Sequence, residues 1–164
     1  MSVRLEVVPS GLLSLDFEVH ENGVPVGRIE NRPLHLLERG LVAANGREYT
    51  VLREGVFRAS YLLRATDGTI RARAERMGWA GSAYRLLFDA SQIVLRRKML
   101  ALRETFLLTT ASGEAGYIVR ESLLSRRMTV ELKQAAAVTP LEILLFLVWL
   151  ALLIHRNDSA GSAA

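Results

Sequence analysis

The chain has 164 residues, half of them hydrophobic, which is enough for a single domain with a sizeable core and excludes a disordered chain. It has no cysteine, which excludes disulfides, thiolate catalysis and cysteine metal sites and fits a reducing, cytoplasmic setting. The net charge of +4 comes from nineteen arginines but only two lysines, Lys98 and Lys133. The charge is uneven: eleven basic residues face four acidic ones between Arg53 and Arg103.

Arg4 and Glu6 interrupt the first apolar stretch, Val3 to Val7, so it reads as a strand and no secretory signal is visible. Residues 12–20 alternate, with Leu13, Leu15, Phe17 and Val19 on one face and Ser14, Asp16, Glu18 and His20 on the other. Asn22-Gly23 then turns the chain into a return strand from Val24 to Glu30. Turn signals recur at Asn45-Gly46, Asp67-Gly68, Ala90-Ser91 and Ser112-Gly113, at steps of 23, 22, 23 and 22 residues. Ile70, Ala72 and Ala74 are expected on one inward face, with Arg71 and Arg73 outward. Five hairpins, one strand before them and one after (Met128 to Leu132) make about twelve antiparallel strands between residues 2 and 133.

Thr139 to Arg156 is different. From Ile143 to Ile154 it is apolar on every side, as a core or membrane helix is. Thr139, Pro140 and Glu142 form a capping-box start, which predicts a helix over 140–156. The unbroken run of twelve spans about 18 Å, short of the ~30 Å hydrocarbon core of a bilayer. A sheet of this many strands must close or split to remove its edges, and strand and helix lengths match at about 25 Å. The expected fold is all-β: a closed antiparallel barrel of about twelve strands around a central hydrophobic C-terminal helix. One domain is expected over 1–157, with a disordered tail over 158–164. The alternative is a C-terminal membrane anchor carrying a β-domain for protein interactions.

The hairpins Phe17 to Ile29, Tyr61 to Ala74 and Tyr84 to Arg97, the segment F-L-L-T-T-A-S-G-E-A-G-Y-I at 106–118 and the tail P-L-E-I-L-L-F-L-V-W-L at 140–150 resemble the tubby-like superfamily. The likeness is to its short LURP-one-related and phospholipid scramblase-like members. The resemblance implies a closed twelve-stranded barrel around a hydrophobic helix, phosphoinositide binding by surface basic residues for tubby domains, and membrane association with calcium for scramblases. No acidic calcium loop of the D-x-D-x-D-G type occurs here.

The chain has no P-loop, no G-x-G-x-x-G, no H-E-x-x-H and no G-x-S-x-G. His20, His35 and His155 have no ligand spacing, so neither a metal, a cofactor nor an enzyme activity is expected. The basic residues Arg71, Arg73, Arg96, Arg97 and Lys98 are the candidates for anion or lipid binding. Few aromatics accompany them, which favours lipid headgroups over nucleic acid. The expectation is a monomeric, non-enzymatic barrel, cytoplasmic or peripheral to a membrane, with an anionic membrane lipid or another phosphorylated ligand as partner.

Overall fold

The computed structural model describes residues 3–32, 38–55, 60–78, 82–100, 103–122, 125–133 and 138–161; Pro33, His35 and Trp79 lie outside them. Twelve antiparallel strands close into a barrel: β1 (Val3–Pro9), β2 (Phe17–Glu21), β3 (Val24–Asn31), β4 (Glu38–Ala44), β5 (Arg47–Glu54), β6 (Ser60–Ala65), β7 (Ile70–Arg76), β8 (Ala83–Phe88), β9 (Ser91–Leu100), β10 (Arg103–Thr110), β11 (Gly113–Arg120) and β12 (Met128–Leu132). Each strand pairs with its neighbours in sequence, and β1 closes on β12 with Val3 opposite Leu132. Asn22 and Asn45 take positive φ (52° and 51°) ahead of Gly23 and Gly46, as two-residue hairpins of this twist require. The fourth turn is centred on Asp89-Ala90, one residue before the expected Ala90-Ser91, because Asp89 supplies the left-handed residue.

Helix α1 (Leu141–Gly161) fills the lumen. Every side chain from Ile143 to Ala151 is at most 4% exposed. The helix runs past the expected stop at Arg156, so 158–161 are helical; 162–164 lie outside the described residues. The expected capping box does not close: the Glu142 carboxylate accepts from Arg71 Nη2 at 3.3 Å instead. Among the described residues no helix is long and apolar enough to cross a membrane, and the apolar tail serves here as lumen packing.

The helix approaches the wall closest where two strands carry glycine. A Cβ on Gly27 would collide with Leu145, and one on Gly40 with the indole nitrogen of Trp149. Trp149 is fully buried, edge-on to Tyr61 at 5.1 Å between ring centroids.

The two mouths of the barrel differ. One carries the five short hairpin turns and the N-terminus of α1. The other gathers the longer connections, among them residues 10–16, 121–122 and 125–127, around the C-terminal half of α1.

Candidate functional site

The mouth around the C-terminal half of α1 is built from arginine. Arg53, Arg76, Arg97 and Arg120 stand directly opposite Tyr61, Tyr84, Phe106 and Met128 on the adjoining strands. Cross-strand partners share a face of the sheet, and those four partners are core residues, so the arginines face the lumen. They recur at steps of 23, 21 and 23 residues, close to the spacing of the turns. Four alternate strands, β5, β7, β9 and β11, thus end this mouth with an arginine on the inner face, Arg76 at its exposed rim. Beside two of them the Tyr84 hydroxyl, tightly buried, has its pKa pushed up to about 12.

Between these arginines lies a buried carboxylate. Glu104, 2% exposed on β10, is ion-paired with Arg97, whose Nε lies at 2.8 Å, and lies 2.9 Å from His155 Nδ1 and 3.7 Å from Arg120 Nη1. Arg120 donates from Nε to the Ser125 carbonyl at 2.6 Å and from Nη1 to His155 Nε2 at 2.7 Å. Arg120 Nη1 also lies 3.1 Å from His155 Nδ1, so the ring sits between the guanidinium and the carboxylate. Burial, with Arg120 alongside, holds the His155 pKa below its ordinary value against the opposing pull of Glu104. Burial likewise lowers that of Arg120. A carboxylate so placed offsets part of the charge of two inward arginines that would be costly to bury alone, and leaves the cluster net positive.

Above this cluster opens a cleft of about 320 Å³. Leu15, Phe17, Met128 and Leu152 supply apolar walls; Asn31, Arg120, Arg126, His155 and Arg156 supply the polar groups, and among the described residues no carboxylate lines it. Its rim is the connection 10–16, where the structure departs from the sequence expectation. Alternation predicts a strand from residue 12, yet β2 begins at Phe17. β1 ends at Pro9, opposite Phe17, and the last backbone bond of the pair joins the Ser10 amide to the Asp16 carbonyl. With no neighbour to pair with, residues 11–15 loop outward, leaving Leu12 98% and Leu13 95% exposed. Arg126 holds that loop, donating to the carbonyls of Leu12 (3.0 Å) and Ser14 while its guanidinium lies 5.5 Å from the Phe17 ring centroid.

The five basic residues singled out in the sequence do not form one patch. Arg71 sits at the opposite mouth. The register of β6 and β7 shifts there, Leu63 facing Ala72 but Arg64 facing Ile70, which makes Arg71 the unpaired residue of a bulge. The bulge aims Arg71 at Glu142 and leaves Ile70, expected in the core, 47% exposed. Arg73 is on the outer wall, bonded to Glu54 at 3.0 Å. Arg97 points inward to Glu104, because three consecutive strand residues cannot share one face. Arg96 and Lys98 lie together on the outer wall of β9, exposed, with no carboxylate partner among the described residues. The inward arginines, Glu104 and the exposed leucines went unread as a site. The signal for the arginines was present: each pairs with a residue on the apolar face. Among the described residues no group of histidines and carboxylates could hold a metal ion. The chain matches no family model, no curated protein and no solved structure.

Proposed function

We propose that this protein is a non-enzymatic, tubby-like barrel that docks on anionic membrane surfaces through the mouth surrounding the C-terminal half of its helix. The observation that carries the reading is the 10–16 connection. Two adjacent leucines stand almost fully in water on a loop held by Arg126, with Arg127 and Arg156 close by in the same mouth region. An exposed apolar pair ringed by cations suits the interface of a membrane, where leucine enters the acyl boundary and arginine meets phosphate. The architecture supports the tubby-like reading, since a closed twelve-stranded barrel around a hydrophobic helix is what that resemblance implies. Of the five basic candidates, Arg96 and Lys98 remain presented for auxiliary phosphate contacts; Arg71, Arg73 and Arg97 are engaged in ion pairs.

Co-sedimentation with vesicles tests this. The full chain is expected to bind phosphatidylcholine vesicles carrying anionic lipid, weakly or not at all to bind pure phosphatidylcholine, and to release as salt rises. Leu12→Ser with Leu13→Ser should weaken binding on the order of tenfold to a hundredfold, from partial burial of two leucines. Arg96→Gln with Lys98→Gln should cost less, at about 1 kcal/mol or below per exposed cation. Equal sedimentation with neutral and anionic vesicles, or no binding at low salt, contradicts the proposal.

A further inference from the structure

We infer that the cleft beside the helix is a binding site for a single-chain amphiphile with an anionic head, either a carboxylate or a phosphate monoester. Three features of the cleft define the ligand. Its volume of about 320 Å³ is at the lower end of the range of small-molecule sites, which fits one acyl chain and not a two-chain lipid. Leu15, Phe17, Met128 and Leu152 bring four apolar side chains from the 10–16 connection, β2, β12 and α1, a wall for a hydrocarbon chain. The charged groups are of one sign: Arg120, Arg126 and Arg156, with Asn31 and His155 among them and no carboxylate lining among the described residues.

Arg120 is the recognition group. Its side chain is 8% exposed, and its Nε and Nη1 are fixed by Ser125 and His155. No described acceptor takes its Nη2. A guanidinium held in this way presents a pre-oriented donor and loses little freedom on binding. Glu104 lies behind it, away from the cleft lining, and keeps Arg120 in place without neutralising the cleft itself. Arg156, from the end of the helix, and Arg126, from residues 125–127, add charge from two sides. Carboxylate and phosphate both accept paired hydrogen bonds from guanidinium, so the geometry specifies an anionic oxygen head and leaves its kind to experiment. The inference stands apart from membrane docking, since a soluble amphiphile reaches the cleft without a bilayer.

Calorimetric titration of the full-length protein, with each amphiphile below its micelle concentration, tests it. Laurate, dodecyl phosphate, dodecanol and inorganic phosphate are the probes. Saturable binding of laurate or dodecyl phosphate is expected at one site, with whichever binds more tightly assigning the head group. Dodecanol should bind at least about tenfold more weakly, for want of the charge-assisted bonds, and inorganic phosphate alone should show no saturable binding. Leu15→Asp, on the exposed rim where folding is not at stake, and Arg156→Gln should each weaken the charged amphiphile by about tenfold. Leu12→Ser with Leu13→Ser should leave its affinity unchanged while impairing vesicle docking, which separates the two proposals. The inference is overturned if neither charged probe saturates, if dodecanol binds as tightly as laurate, if inorganic phosphate matches dodecyl phosphate, or if Leu15→Asp binds like the wild type.

Discussion

Glu104 is the most deeply buried charged residue among the described residues. It is buried among Arg97, Arg120 and His155, and removing its charge leaves two inward guanidiniums without compensation. Glu104→Gln should therefore destabilise the fold by about 3–5 kcal/mol, read from the midpoint of urea unfolding. A loss within the noise of surface substitutions would contradict the arrangement. His155 makes stability depend on pH in a defined direction. Its folded pKa is lowered, first by burial, while the unfolded chain titrates near the ordinary 6.5. Below about pH 6.5 the unfolded state binds a proton that the folded state refuses, so stability is lost as pH falls from there toward the lowered folded pKa. Above about pH 6.5 the contribution is fully present. His155→Gln should flatten that part of the profile. A His155→Gln profile as steep as the wild type between about pH 7.5 and about pH 5.5 would show that the proton goes elsewhere.

Among the elements, the contact of helix and wall is the most sharply defined. Trp149 Nε1 is buried with no hydrogen-bond acceptor among the described residues, and it sits where a Cβ on Gly40 would be. Gly40→Ala should cost about 1–3 kcal/mol by overpacking. In a Trp149→Phe background, which removes the clashing nitrogen and the unsatisfied donor together, the same substitution should cost measurably less. Additive effects in the double-mutant cycle would place the clash elsewhere. The strands were readable because period-two alternation and Asn-Gly turns are local signals, and the twelve-strand count follows from them. Two elements were not readable, for one shared reason. The start of β2 and the bulge at Arg71 depend on which neighbour is available to pair with, and pairing is a property of the closed sheet. The inward turn of Arg97 was readable, since alternation through Ile93 and Leu95 puts it on their face. Residues 12–16 alternate as a strand does, yet they have no strand beside them and become the exposed leucine loop instead. The capping box failed similarly: Glu142 has the right spacing from Thr139, but the bulge brings an arginine within its reach.

At the scale of the whole molecule, the barrel and its helix form one cooperative unit. The lumen contains nine consecutive helix residues, from Ile143 to Ala151, that are essentially inaccessible to water. Each large side chain among them stabilises by roughly 1.5–3 kcal/mol, more in sum than the net stability of a domain. Ending the chain at Ala137 should therefore abolish cooperative folding, and a soluble truncated protein with a sharp thermal transition would refute the central role of the helix. The two mouths differ: one is closed by tight turns, and the other carries inward arginines, a cleft with apolar walls and two leucines in water. That asymmetry is what supports the proposal of membrane docking through the second mouth. Because the chain has no cysteine, Leu13→Cys introduces a single site for an environment-sensitive fluorophore. On adding anionic vesicles, a label at position 13 should shift to the blue and become quenched by brominated lipid, while the same label at Ser112, in the turns of the opposite mouth, should stay unchanged. A label at position 13 that remains in water while the protein co-sediments with those vesicles would contradict docking through this mouth.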